Sequence, residues 1–176
     1  MKRAADRGPN INITQGEYAV SEIEGGVITT ILGSCIATCI WDPVRKVGGM
    51  NHILLARSQT AGGVSDYAGV NAMELLINGL VRLGADRNRL NAKIFGGARM
   101  ISGLSDVGNT NASFVVEYLE REGIPCLGKS LGGVSARQIR FFPSEGRVMQ
   151  RTVASAPEPV EPVRQAPPER NGVELF

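Results

Sequence analysis

The chain has 176 residues, 43% of them apolar, which is enough for one domain with a real core and short for two. Its net charge of +2 arises from 19 basic and 17 acidic residues interleaved along the sequence, so it lacks the clustered basic residues that nucleic-acid binding requires. No apolar run approaches the roughly 18 residues of a membrane span, Met1-Lys2-Arg3 leads into polar residues rather than a signal-peptide core, and three cysteines fit a reducing compartment; the chain is read as cytoplasmic, without membrane insertion.

Residues 1–10 are polar and without periodicity, so they are expected to be disordered, with a single folded domain over 11–153. Gly16 to Ser21 reads as a first short strand, Gly25-Gly26 as a turn, and Val27 to Leu32 as a β-branched run suited to a buried strand. Cys35 to Trp41 continues as strand after a break at Gly33. Asp42-Pro43 signals a turn with Arg45 and Lys46 at its tip, and Gly48 to Leu55 returns, so the two segments read as a hairpin. Gly48-Gly49 reads, at its plainest, as a bulge in that hairpin.

A Gly-rich loop at Thr60 to Ser65 precedes the clearest helix, capped by Ser65 or Asp66, with Val70, Met73, Ile77, Leu80 and Val81 at helical spacing and Gly84 as its stop. Leu90 to Ala98 is a strand ending in Gly96-Gly97, a turn expected to bring backbone N–H groups near a substrate. Asn109 to Arg121 is a second helix with Phe114, Val115, Tyr118 and Leu119 inward and Gly123 as its stop. Ile124 to Lys129, Ala136 to Phe142 and Arg147 to Val153 complete the strands. Two helices among some eight strands, without regular alternation, predict an α+β layered fold rather than a doubly wound parallel sheet. From residue 154 to 176 the composition turns to Pro, Glu, Arg and Gln, and this stretch is expected to be a disordered, polyproline-like tail ending in the apolar pair Leu175-Phe176.

His52 is the only histidine in the chain. Cys35 follows a Gly-Ser pair at the end of an apolar run, where a tight backbone leaves the side chain accessible. A free thiol of pKa about 8.5 is only a few per cent thiolate at neutral pH, so a nucleophilic cysteine needs a base. An imidazole-assisted mechanism has only His52 to use. The hairpin sets His52 beside Cys35 across neighbouring strands although they are 17 residues apart. Such a dyad predicts a thiolate–imidazolium pair, with the thiol titrating below about 7.5. Cys39, inside an apolar strand with no Gly-Ser break, and Cys126, after Pro125 in a strand, are read as structural.

Leu32-Gly33-Ser34-Cys35, then Asp42-Pro43-Val44 and Gly48-Gly49-Met50-Asn51-His52, resemble the signature of the chemoreceptor glutamine deamidases, the CheD family of bacterial chemotaxis. Lys93-Ile94-Phe95-Gly96-Gly97-Ala98, Glu122-Gly123-Ile124-Pro125, Leu131-Gly132-Gly133 and Arg140-Phe141-Phe142-Pro143 recur in family order, so the resemblance runs from about Gly16 to Arg151. It implies stacked mixed sheets with helices outside, and hydrolysis of selected receptor glutamine amides to glutamate through a thioester. Cys35 is then the nucleophile, His52 the base, and Thr29 by register the orienting third residue, with Thr30 the alternative one position on. Backbone N–H groups around Gly33, Ser34 and Cys35 are the expected oxyanion donors, and no metal or cofactor is implied. The implied partners are the cytoplasmic helices of chemoreceptors and a CheC-type phosphatase.

Two other readings compete. Another cysteine enzyme, a protease or transamidase, would use the same dyad on a peptide bond or an acceptor amine. Alternatively, three cysteines and a histidine have the ligand count of a structural zinc site. On a strand, however, Cys35 and Cys39 sit about 13 Å apart at ~3.3 Å per residue, too far for one ion to bridge.

Because residues after Ser155 lack core-forming composition, truncation there is expected to leave the thermal midpoint and the turnover of a small substrate unchanged. A fall of several degrees by calorimetry would mean that the tail packs on the domain.

Overall fold

The nearly unbroken apolar run from Ile36 to Trp41 leaves that strand no face to give to solvent, and all seven residues of Ile36–Asp42 are buried. A computed structural model describes residues 8–55, 64–100 and 107–154; the expected Pro-rich tail, the first seven residues and most of the expected Gly-rich loop lie outside the described residues. In chain order the elements are β1 (Asn10–Asn12), β2 (Tyr18–Ser21), β3 (Val27–Leu32), β4 (Ile36–Asp42), β5 (Val47–Ile53), α1 (Val64–Arg82), β6 (Asn91–Gly96), α2 (Val107–Arg121), β7 (Cys126–Leu131), β8 (Arg137–Phe142) and β9 (Arg147–Thr152).

The strands form two mixed sheets, one of order β1-β3-β8-β9 and one of order β2-β5-β4-β6-β7. The pairs β1/β3 and β6/β7 are parallel and the others antiparallel. Alternation along β4 then assigns its two faces. Ile36 and Ile40 pack under Met73, Leu76, Ile77 and Leu80 of α1 and Val115 and Leu119 of α2. Ala37, Cys39 and Trp41 pack with Ile28, Leu32, Ile139 and Phe141 of the four-stranded sheet. The result is three layers, sheet on sheet on helices: the α+β sandwich with outer helices that the sequence predicts.

Four local expectations are revised. Asn10 pairs with Val27 in a short parallel strand, inside the segment expected to be disordered. Helix α1 already runs at Val64, which puts Ser65 and Asp66 in its first turn rather than before it. Val81 is exposed, and the fully buried Leu76 takes a place on the apolar face. Gly48-Gly49 is no bulge, since β5 pairs with β4 in unbroken register from Val47 to Ile53. Its glycines answer to crowding: a Cβ on Gly48 would lie 2.6 Å from the Pro143 carbonyl oxygen, and one on Gly49 2.7 Å from that of Ala19.

The turn after β4 is built on a buried charge. One oxygen of Asp42 accepts the N–H groups of Val44 and Arg45 at 2.9 and 3.0 Å, and the other accepts the Asp86 N–H at 2.9 Å and Arg89 Nη2 at 2.8 Å. Burial alone would raise the Asp42 pKa, but the Arg89 guanidinium and the three backbone donors hold it well below the usual carboxylate range. Removing this anchor with Asp42→Ala is expected to cost about 3 kcal/mol in urea unfolding, because Arg89 and three N–H groups lose their acceptor. A depressed carboxylate stabilises above its unfolded pKa of about 3.9, so the deficit relative to wild type should shrink as pH falls through the acid range.

Candidate active site

Strand β3 carries Val27-Ile28-Thr29-Thr30-Ile31-Leu32, in which both faces look equally apolar in sequence. Its pairing with β8 turns Ile28 and Leu32 into the core between the sheets. Thr30 lies between them on that inner face. Thr29 and Ile31 point the other way; Ile31 is 57% exposed, and the Thr29 hydroxyl donates to Asn12 Oδ1 at 3.2 Å. Of the two threonines it is therefore Thr30, the alternative to the expected Thr29, that meets the imidazole, with its Oγ1 2.8 Å from His52 Nδ1. A one-residue change of register exchanges the faces of a strand, and the sequence carries no alternation here to settle it.

The Thr30 hydroxyl also donates to the Ile13 carbonyl at 2.8 Å. A hydroxyl has one proton and a carbonyl can only accept, so Thr30 Oγ1 must accept from His52 Nδ1–H. The imidazole is thus held as the tautomer whose Nε2 carries a free lone pair. Its backbone is clamped as well, with Gly16 N–H donating to the His52 carbonyl at 2.9 Å and His52 N–H to the Glu17 carbonyl at 3.0 Å.

His52 pairs with Ala37, and Cys35 lies two residues before Ala37 on the same face. Continued by one residue, the hairpin register puts the thiol and the imidazole on one face in diagonal positions, which in a regular antiparallel ladder are about 7–8 Å apart. Cys35 is 9% and His52 7% exposed, so the pair sits at the rim of the inter-sheet core.

Gly33 and Ser34 form the bend into Cys35, and their carbonyls are tied down. Ala98 N–H donates to Gly33 O at 3.0 Å, Gly97 N–H to Cys35 O at 2.9 Å, and Asn111 Nδ2 to Ser34 O at 3.0 Å. The Gly96-Gly97 turn, expected to present N–H groups to substrate, thus spends the Gly97 donor on holding the cysteine loop. Only glycine fits at position 96, where φ is +116° and a Cβ would lie 2.1 Å from the Cys35 carbonyl oxygen. Asn111 was legible as a polar residue on the inward face of a helix, four and seven residues before Val115 and Tyr118. Ile13 enters only through its backbone and left no sequence signal.

Burial pushes the Cys35 thiol above its ordinary value. Burial also holds the His52 imidazole below its own, with the Glu17 carboxylate pulling weakly the other way. Both shifts act against the thiolate–imidazolium pair expected of such a dyad. Cys39 is wholly buried in the inter-sheet core, its thiol pushed far up by burial. Cys126 is exposed on β7 rather than buried, its Sγ 3.4 Å from the Gly128 carbonyl oxygen. Among the described residues no three His, Cys, Asp or Glu side chains gather as a metal site.

A family model described as CheD chemotactic sensory transduction matches residues 54–152. A probable chemoreceptor glutamine deamidase CheD from Caulobacter sp. (strain K31) is 51% identical over 168 residues, spanning 93% of this chain and 89% of its own. The chain belongs to the CheD family. CheD relatives of the same description from Rhizobium johnstonii and Acidiphilium cryptum are each 48% identical, covering 94% and 97% of this chain and 95% of their own. The CheD model match begins after both Cys35 and His52, whereas these relatives extend over nearly the whole chain. A solved Neisseria meningitidis protein of family-model DUF152 is only a remote likeness, with a TM-score of 0.46 at 11% identity over 71% of this chain and 64% of that one.

With Cys35 raised and His52 lowered, iodoacetamide labelling of Cys35 is expected to rise with pH through a midpoint above the ordinary thiol value of about 8.5. A midpoint below about 7.5 would restore the ion pair.

Proposed function

We propose that the protein is a cysteine hydrolase that converts selected glutamine side chains on the cytoplasmic helices of methyl-accepting chemoreceptors to glutamate, working in the cytoplasm and tuning chemotactic adaptation. The observation that carries this reading is the line Ile13 carbonyl, Thr30 hydroxyl, His52 imidazole, which leaves Nε2 as the ring nitrogen with the lone pair, on the strand that pairs with the one following Cys35. Its support from relatives is their shared description as probable chemoreceptor glutamine deamidases at about half identity. A CheC-type phosphatase is the further partner that the reading carries over from the family.

The neutral pair suits general-base attack. As Cys35 Sγ bonds to the carboxamide carbon, its proton passes to His52 Nε2 and the carbonyl electron pair moves onto oxygen. Imidazolium now faces an oxyanion, and collapse expels ammonia with the Nε2 proton, leaving a thioester. Water then gives a proton to Nε2 and adds to the thioester carbon. Cys35 leaves as thiolate and recovers the proton. The balance is amide plus water to carboxylate and ammonium. Thr30 holds the ring by accepting from Nδ1–H throughout, a neutral third residue that stabilises imidazolium less than a carboxylate would. A lowered His52 pKa is consistent with that neutrality, and it keeps the base form available at neutral pH.

Intact-mass analysis of a receptor cytoplasmic fragment tests the reading, since each deamidation exchanges NH₂ for OH. Cys35→Ala is expected to abolish the mass change with its circular dichroism intact, while Cys39→Ala and Cys126→Ala retain it. Thr30→Val leaves Nδ1–H unpaired and should lower kcat about 10- to 100-fold, the worth of one buried hydrogen bond. Thr29→Val, on the outer face, should stay within about a factor of two. Equal losses in the two threonine variants would sink the assignment of Thr30.

A further inference from the structure

The last ladder pair of the β4/β5 hairpin at its open end is Ile36 with Ile53. The same register, continued, would place Ser34 opposite Leu55. Parity makes that pair a hydrogen-bonded one. The N–H and carbonyl of His52 both turn towards the Gly16-Glu17 side, so those of Leu55, an odd number of residues on, turn towards β4. The Cys35 carbonyl turns towards Gly97 on the β6 side, so that of Ser34 turns towards β5. Leu55 N–H and Ser34 C=O are therefore aimed at each other, as in a normal rung.

The rung is not made. Instead the side-chain amide of Asn111, from α2 and 1% exposed, fills the gap: Leu55 N–H donates to Oδ1 at 3.0 Å and Nδ2 donates to Ser34 O at 3.0 Å. One amide stands where a direct backbone bond would be, joining the two segments across its own breadth. Ser34 adjoins Cys35, and Leu55 follows His52 by three residues. Because the peptide is planar, pinning the Ser34 carbonyl also fixes the direction of the Cys35 N–H.

We propose that Asn111 is the positioning residue of the site, a spacer inserted in the hairpin that sets the separation between the strand of Cys35 and the strand of His52. The inference rests on the deamidase reading for its catalytic consequence and on the hairpin geometry alone for its structural one. Without the spacer, Leu55 N–H closes directly on Ser34 O, the strands draw together and the thiol shifts relative to Nε2. A misplacement of about 1 Å costs on the order of 100-fold in rate.

The full-length protein is compared with Asn111→Ala, which loses both bonds, and with Asn111→Asp at about pH 8, where the ionised carboxylate keeps the acceptor for Leu55 but has no donor for Ser34. On a receptor cytoplasmic fragment, kcat is expected to fall about 100-fold in both with KM within about twofold, at a temperature well below each thermal midpoint. A kcat within about threefold of wild type, or a rise in KM alone, overturns the proposal. If neither variant folds, the amide is a requirement of the fold and the proposal also fails. Iodoacetamide labelling of Cys35 at neutral pH gives a substrate-free readout. His52→Ala, which removes the base that takes the thiol proton during attack, should slow labelling in the wild-type background and have no further effect beside Asn111→Asp; equal slowing in both backgrounds, or none in the wild-type background, overturns the proposal. Should the wild type leave every receptor fragment unchanged, the deamidase reading falls, and the labelling comparison still decides Asn111.

Discussion

One hydrogen bond passes between the two sheets at the site, from His52 Nδ1–H on the five-stranded sheet to Thr30 Oγ1 on the four-stranded one. It exists only because Ile28, Leu32, Ile139 and Phe141 press the smaller sheet onto Ala37, Met50 and Phe95 of the larger. Burial supplies the force that brings the sheets together, and it has no direction of its own. The hydroxyl adds the direction. By giving its proton to the Ile13 carbonyl, Thr30 is left able only to accept, and the tautomer of the imidazole follows.

The same burial sets the electrostatics of the pair. Taking a thiol and an imidazole out of water disfavours the charged form of each, so Cys35 and His52 are shifted in opposite directions, and both shifts lead to the uncharged state. Burial thus works against a thiolate held in advance, and the hydrogen bonds around the two residues do the holding.

The holding is done largely by backbone. Gly97 and Ala98 donate to the carbonyls of Cys35 and Gly33, Gly16 and Glu17 clamp His52, and a buried amide from α2 joins the bend before Cys35 to the end of β5. Small residues make these approaches possible. Gly96 passes so close to the Cys35 carbonyl that any side chain would collide with it, and Gly108 at the start of α2 meets the carbonyl of Gly97 in the same way. The helices therefore serve the site as well as the core, since α2 cannot shift without moving both arms of the hairpin.

Much of this was legible in the chain by itself. The Gly-Ser-Cys break, the lone histidine, the hairpin between them and the two helices are local patterns, set by backbone preference and apolar periodicity within a few residues. The three-layer α+β fold followed from their order. What the sequence left open was whatever depends on which residue lies opposite which. Thr29 and Thr30 are equivalent as strand formers, and only the pairing of β3 with β8 and the packing of one sheet on the other turn Thr30 to the histidine. Gly48-Gly49 looked like a bulge because crowding by Pro143 and Ala19 comes from distant chain. The pKa directions likewise depend on burial that no single segment possesses. Local composition determines the elements and the chemical inventory; register and burial are properties of the assembled layers, so tertiary structure alone decided which threonine meets His52 and in which direction burial shifts the thiol and the imidazole.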